Sequence, residues 1–212
     1  MKNFAEVGKK IVAVGRNYAT HNVEMKYDVP KNPVVFSKPN NAFLTEGNVI
    51  KIPAGCTDFH HEIELGVVIS RVASKIRADK ADDYIAGYAL ALDMTARDWQ
   101  AEAKKEGKPW LLPKGFDGAC PVSRFITKQE LPDPHNVDLW CAVNGIVRQK
   151  GSTADMIFKI PFLLEFVTKW VRLDPGDLLI TGTPGGVGTL KPNDVIECGI
   201  GDILTMTWKV EE

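Results

Sequence analysis

The chain has 212 residues, 44% of them hydrophobic and 25% charged, with a formal net charge of -1. This length supplies a substantial core in one large domain or two small ones. The near-neutral balance excludes a basic footprint for nucleic acid or an anionic membrane, and no apolar run is long enough to span a bilayer.

In chain order, strand patterns dominate. Apolar and β-branched runs predict strands over residues 11–14, 34–36 and 49–52, bounded by Gly15, by Pro33 and Pro39, and by Pro53. Longer runs follow over residues 62–70 and 84–93. Thr95 is read as the cap of a helix over residues 96–106, with Asp98 in the capping-box position and Gly107 as its stop. Residues 137–143 lead into Asn144-Gly145, a strong hairpin signal. A second helix is expected over residues 160–171, with Pro161 in its first turn and Asp174-Pro175-Gly176 beyond it. Strands over residues 178–181, 195–198 and 203–210 complete the set. In the last, Leu204, Met206, Trp208 and Val210 alternate with Thr205, Thr207 and Lys209, the pattern of a half-buried antiparallel strand.

Strands rarely alternate with helices, which argues against a doubly wound parallel fold. The expectation is a mainly β protein with a few helices (α+β), its strands curled around a central site. One domain covers residues 1–212, with residues 1–60 as a semi-separate N-terminal part. The four cysteines, Cys56, Cys120, Cys141 and Cys198, form no Cys-x-x-Cys pair and read as reduced thiols of an intracellular protein. Residues 1–6 carry neither the apolar core of a secretory signal nor an Arg-rich transit segment.

The chemistry concentrates in His60-His61-Glu62-Ile63-Glu64, which opens an otherwise apolar strand. A strand repeats every two residues, so Glu62 and Glu64 share a face, with His60 on the same face as a candidate ligand or partner. Two buried carboxylates that close need a positive partner, and Asp93, at the end of the next strong strand pattern, adds a third oxygen donor. Hard oxygen donors suit Mg²⁺, Mn²⁺ or Ca²⁺; the bland alternative is a solvated acidic face for the glutamates and a turn contact for Asp93. His21 and Glu24 are helix neighbours at i, i+3, a spacing that suits an oriented general base or a plain surface ion pair. Lys114, between Pro113 and Gly115, is either a cation for a carboxylate or enolate, or an ordinary exposed lysine. The Gly-rich run Thr181-Gly182-Thr183-Pro184-Gly185-Gly186-Val187-Gly188 lacks the lysine of a P-loop; it can hold a small carboxylate or be a simple turn.

Together these segments resemble the fumarylacetoacetate hydrolase superfamily over essentially the whole chain. The matching runs are Gly15-Arg16-Asn17-Tyr18 with His21 and Glu24, His61-Glu62-Ile63-Glu64-Leu65, Asp93-Met94-Thr95-Ala96-Arg97-Asp98-Trp99-Gln100, Lys114-Gly115-Phe116-Asp117, and residues 181–188. The resemblance implies a mixed β-sandwich roll, a homodimer, and Mg²⁺ (or Mn²⁺) on Glu62, Glu64 and Asp93. It implies His21, Glu24 and Lys114 as catalytic residues, Arg16, Gln100 and Thr183 as substrate-binding residues, and Asp117 as a supporting neighbour or a turn residue. The His21–Glu24 segment is expected to act as a lid. Longer family members carry a further acidic ligand near the position of Val14, so three carboxylates remain here. The implied activities are acylpyruvate hydrolysis and oxaloacetate decarboxylation on small 2-oxo acids, with oxaloacetate keto–enol tautomerisation on the same site. A 2-keto-4-pentenoate-type hydratase or an isomerase of aromatic catabolism is the alternative within the family, and a β-rich module with a structural cation the alternative outside it. The location implied is mitochondrial, or else cytoplasmic.

Overall fold

The structure is a computed structural model and describes residues 1–25 and 28–212. The N-terminal stretch holds α1 (Phe4–Val7), β1 (Lys10–Gly15), α2 (Ala19–Glu24), β2 (Val34–Pro39), β3 (Phe43–Leu44) and β4 (Ile50–Lys51). The centre of the chain forms β5 (Phe59–His61), β6 (Ile63–Ile69), β7 (Ile85–Leu92), β8 (Thr95–Ala96), α3 (Arg97–Glu106), α4 (Leu111–Lys114), β9 (Cys120–Pro121) and β10 (Ile126–Thr127). Then come β11 (Asp138–Val143), β12 (Ile146–Ser152), α5 (Ile160–Thr168), β13 (Leu178–Ile180), β14 (Gly188–Leu190), β15 (Val195–Ile200) and β16 (Leu204–Glu211).

Six strands form a mixed sheet in the order β10-β7-β6-β13-β1-β2, with β1 and β13 the parallel pair. Five form a second sheet, β12-β11-β15-β16-β4, and three a small one, β14-β5-β8. The mainly β, α+β expectation is met. Every residue of β6 is buried because its sheet is covered on both faces. Val12, Leu65, Val67 and Leu90 pack with Leu139, Ile196, Met206 and Trp208 of the second sheet. Ile11, Ala13, Val68, Ala89 and Ile180 pack with Phe4, Ala42 and Val122 on the other side. Among the described residues, no helix is long and apolar enough to cross a membrane.

The expected elements are present with shifted ends. Asn144 and Gly145 both take positive φ, 51° and 76°, as a tight hairpin turn requires. Gly107 ends α3 in the left-handed region at φ 66°. Helix α5 stops at Thr168 rather than residue 171, because the Thr168 carbonyl and hydroxyl accept the Lys75 and Ile76 amides. Strand β4 is two residues long and pairs in parallel with the end of β16.

The consequential feature is a shared crossing point. Strand β5 passes into β6 at Glu62, β7 passes into β8 through Asp93, and β13 passes toward β14 through residues 181–187. Three neighbouring strands of the large sheet thus exchange for the three strands of the small one at one level. Ladder pairing ends there, and the Asp93 N–H donates to the Glu62 carbonyl at 2.8 Å across the gap.

Candidate active site

That crossing point holds the acids. Glu62, Glu64 and Asp93 are all buried, and one carboxylate oxygen from each lies within 4.8 Å of the others. They line a narrow cleft together with Val14, Arg16, His21, Gln100, Lys114 and Thr183. Nine of the residues expected to form a site are therefore at or beside one cleft, since Glu24 lies 3.8 Å from His21 Nδ1 through its Oε2. His60 is the exception: its Nε2 turns to Asp58 Oδ1 at 2.9 Å and to the Thr189 hydroxyl, because β5 and β6 are separate strands and the period-two face is broken at Glu62. Asp117 is also outside; exposed, it pairs with Asn41 at a turn.

Among the described residues, Lys114, Lys38 and Arg97 meet two of the carboxylates, Glu62 and Asp93. Lys114, carried at the end of α4, is buried with its Nζ 3.0 Å from Glu62 Oε2, 2.6 Å from Asp93 Oδ2 and 2.6 Å from the Thr95 hydroxyl. The reading as an exposed lysine is thereby excluded. Gly115 permits the close approach: a Cβ there would lie 2.8 Å from the Leu111 carbonyl. Lys38 Nζ lies 2.7 Å from Asp93 Oδ1 and donates to the carbonyls of Met94 (3.2 Å), Ala119 (2.9 Å) and Lys114. Arg97 pairs with Glu62 Oε1 and donates to Gln100 Oε1 at 2.8 Å.

Among the described residues, no cation is paired with Glu64. Its Oε2 accepts the Gly182 N–H at 2.7 Å, so the Gly-rich loop bonds a carboxylate of the protein itself. Gly182 adopts φ +100°, where a Cβ would also lie 2.7 Å from Asn17 Cβ. Burial, with Asp93 and Glu62 close by, drives the Glu64 carboxyl well above its ordinary range. Burial pushes Glu62 the same way, but Lys114 and Arg97 overcome it and hold Glu62 well below that range. Burial would lower Lys114, yet Asp93 and Glu62 raise it, so it stays an ammonium. A divalent cation fits this donor set: three converging carboxylate oxygens, one of them short of positive charge.

Above the centre, α2 follows β1 through Arg16, which takes φ 60°. The His21 side chain is 8% exposed and Glu24 37%, so the pair is half sheltered rather than a surface ion pair. Burial lowers the His21 pKa, which keeps the imidazole neutral and able to accept a proton near neutral pH. Thr20 and Glu24 latch α2 onto the Gly-rich loop by accepting the Gly185 and Gly186 amides at 3.3 and 2.9 Å. Thr183 Oγ1 accepts the Gln149 side-chain amide at 2.8 Å.

Thr95 does not cap α3, contrary to expectation. It lies in β8, and its hydroxyl accepts from Lys114 while donating to Glu62 Oε1 at 3.2 Å. Buried charge outbids a helix end for that hydroxyl, and Asp98 instead accepts the Thr57 amide and hydroxyl, both at 2.7 Å. Lys38, Thr95 and Arg97 are the site residues that sequence reasoning missed. The period-two rule could have found them: Asp93, Thr95 and Arg97 alternate, as do Phe36 and Lys38.

The chain is 51% identical over 211 residues to a rat protein called oxaloacetate tautomerase FAHD1, mitochondrial, covering 100% of this chain and 96% of that one. A Dictyostelium discoideum protein called oxaloacetate decarboxylase, mitochondrial, is 49% identical, with 97% and 94% covered. The solved structure of fumarylpyruvate hydrolase from Pseudomonas aeruginosa, in complex with Mn²⁺ and pyruvate, superposes with a TM-score of 0.91 at 30% identity, over 96% of this chain and 90% of that one. Residues 10–211 match the family described as fumarylacetoacetate (FAA) hydrolase C-terminal. With its fold, its clustered acids and its relatives in agreement, the chain belongs to the fumarylacetoacetate hydrolase family.

Proposed function

We propose that the protein is a divalent-metal enzyme for small 2-oxo acids, with oxaloacetate keto–enol tautomerisation as its leading reaction. Oxaloacetate decarboxylation and acylpyruvate hydrolysis are run by the same site. The observation that carries this reading is the buried meeting of Glu62, Glu64 and Asp93 with Lys114 beside His21. The names of the rat and Dictyostelium relatives support oxaloacetate as substrate, and the Mn²⁺–pyruvate complex of the Pseudomonas hydrolase supports a metal and a 2-oxo acid together.

Glu62, Glu64 and Asp93 would hold Mg²⁺ or Mn²⁺. When bound, such an ion supplies Lewis-acid charge to the oxygens of a 2-oxo acid. The charges favour an anionic substrate: Arg16, Lys104 and Lys114 line the cleft beside the acids, and a divalent ion would add two further positive charges to meet the substrate's carboxylates. Lys114 adds a fixed ammonium where negative charge grows on the 2-oxo oxygen as the bond at C3 gives up its electrons. His21 takes a proton: from C3 in tautomerisation, from water in acylpyruvate hydrolysis. Decarboxylation releases CO₂ and needs no water. Glu24 orients His21, while Arg16, Gln100 and Thr183 position the substrate's carboxylates and carbonyls. Helix α2 closes as a lid, and its grip on the Gly-rich loop decides how much water enters. A homodimer and the mitochondrial location that the rat relative's name carries belong to the same proposal.

The test is a panel of oxaloacetate with its tautomers resolved, acetylpyruvate and fumarylpyruvate, each with Mg²⁺, Mn²⁺ or EDTA. Metal-dependent enol–keto interconversion faster than decarboxylation is the expected result. Turnover that survives EDTA, or no turnover of any 2-oxo acid, overturns the reading.

A further inference from the structure

Directly behind the carboxylates lies a cluster that this chemistry does not use. His61 is next to Glu62 in the chain, yet its Nδ1 faces Gln149 Oε1 at 3.0 Å and Cys141 Sγ at 3.7 Å. Cys141 lies on β11 directly opposite Cys198 on β15. Both thiols are free and fully buried.

The backbone register fixes what kind of pair this is. At one end of the β11–β15 ladder, the Gly201 N–H donates to the Asp138 carbonyl; at the other, the Asn144 N–H donates to the Val195 carbonyl, both at 2.8 Å. Those are hydrogen-bonded pairs, and along an antiparallel ladder bonded and non-bonded pairs alternate. Cys141 and Cys198 are three steps from each end, an odd number, so they form a non-bonded pair. Such pairs bring Cα atoms to about 4.5 Å, with side chains on the same face. A disulfide needs about 4.4–6.8 Å between Cα atoms, so the backbone need not move to form one.

The four thiols also differ in reactivity. A hydrogen bond from Cys198 draws Cys141 down to about 6 against the effect of burial, with His61 acting in the same direction. Burial pushes Cys120 up to about 12 and Cys56 up to about 11. A thiolate is the form that attacks, and Cys141 is the sulfur of the pair held against the His61 ring at 3.7 Å, which makes it the attacking thiol and Cys198 its neighbour. A register shift in the β11–β12 ladder falls at Cys141/Ala142 and leaves the backbone pairing disrupted beside this thiol.

We propose that Cys141 and Cys198 form a peroxide-sensitive dithiol that closes to a reversible disulfide and shifts the substrate-facing residues through His61 and Gln149. The Cys141 sulfur attacks a peroxide oxygen, breaking the O–O bond and giving a sulfenic acid and one water. Cys198 then attacks that sulfur and expels the second water. Two thiols and one hydrogen peroxide become one disulfide and two waters, and a dithiol reductant returns the two electrons and two protons. The route to the site is short. Gln149 Oε1 accepts the Ile63 N–H at 3.0 Å, and its Nε2 donates to Thr183 Oγ1 at 2.8 Å and to the Pro184 carbonyl at 2.9 Å. Moving Cys141 moves a contact of His61, which shares Gln149 with the residues beside Glu62 and Glu64.

The native protein is treated with stepwise hydrogen peroxide, remaining thiols are alkylated after denaturation, and intact mass and joined peptides are read. The expected product has lost two hydrogens, joins the Cys141 and Cys198 peptides, leaves Cys56 and Cys120 alkylated, and reverts with dithiothreitol. In Cys198→Ser, which keeps a hydroxyl donor beside Cys141 but cannot form the disulfide, dimedone should capture a sulfenic acid on Cys141. Alkylation of both Cys141 and Cys198 after peroxide, or their linkage only in denaturant, overturns the dithiol. The coupling is read as KM for oxaloacetate, expected to change by about threefold or more on oxidation, to revert with reductant, and to be peroxide-insensitive in Cys141→Ala. A disulfide with unchanged kinetics overturns the coupling. That second readout rests on the proposed substrate; the mass measurement does not, so failure of the functional reading leaves the dithiol test intact.

Discussion

The carboxylate centre and helix α2 face each other across one cleft and are built in opposite ways. In the centre the three acids are buried and two of them are met by cations at contact distance: Lys114 bridges Glu62 and Asp93, Lys38 holds Asp93, and Arg97 holds Glu62. In α2 the His21–Glu24 separation is 3.8 Å, Glu24 is more than a third exposed, and Val23 points to solvent. The difference matches the two jobs proposed for these regions. Stabilising a developing charge needs dipoles and ions fixed in advance, because any reorganisation during the reaction costs free energy. Carrying a proton and admitting or excluding water needs a part that moves, and such parts come from the weakly held end of a fold.

The comparison breaks most sharply at Glu64, where stability and activity should part. Glu64→Gln removes a proposed metal ligand, so turnover should fall by at least about 10³-fold, the worth of several kcal/mol of transition-state charge stabilisation. The folded carboxyl is held well above its ordinary pKa, so above that ordinary value its ionisation opposes folding. A neutral isostere that still accepts the Gly182 amide should therefore melt higher than the parent in EDTA, and that gain should vanish when metal is added. Scanning calorimetry with and without EDTA, beside kcat, reads both. A lower Tm in EDTA would show that Glu64 is satisfied without a cation.

Lys114→Met comes next. It strips the shared cation from Glu62 and Asp93 and leaves buried carboxylate charge, so stability should drop by about 3–5 kcal/mol and kcat on oxaloacetate by about 10²-fold. Urea unfolding and initial rates measure the two. His21→Asn should behave differently, costing about 10²-fold in kcat while Tm holds within a few degrees, because α2 contributes little to the core. An unchanged rate removes His21 from proton transfer; a large loss of Tm makes α2 part of the rigid centre and dissolves the contrast.

The same two regions differ in how legible they are in the sequence. Glu62, Glu64 and Asp93 stand out because acids inside β-branched apolar runs violate local expectation, and the strand period says which share a face. His21 and Glu24 stand out through helix spacing. Lys38 does not, because Ser37-Lys38-Pro39 reads as a polar strand end. Only the β1–β2 pairing, with Ile11 opposite Lys38, carries that lysine into the core, where it reaches an aspartate far away in sequence. Thr95 misleads for a related reason: its local signal as a helix cap is sound, and a non-local one, the buried ammonium of Lys114, wins. Broken strand ends are likewise invisible locally. Glu62 and Asp93 leave their ladders where one sheet hands over to another, which is a property of the topology and not of either run.

The smallest expected effect is a pH shift, and it probes α2 alone. Burial lowers the His21 pKa, Glu62 and Glu24 pull it up, and Arg97 and Lys114 push it down. If the neutral imidazole is the base, kcat/KM should fall on the acid side through a pKa below the ordinary histidine value of about 6.5. Glu24→Gln removes one of the two negative charges that raise this pKa, so the acid limb should move to still lower pH. The plateau rate should drop only modestly, since orientation is weakened and charge stabilisation in the centre is untouched. Mutations in the centre change the plateau by orders of magnitude; this one changes mainly where the plateau begins. A limb that moves upward in Glu24→Gln, or does not move while kcat collapses, would mean that Glu24 meets the substrate itself and that α2 belongs to the fixed machinery.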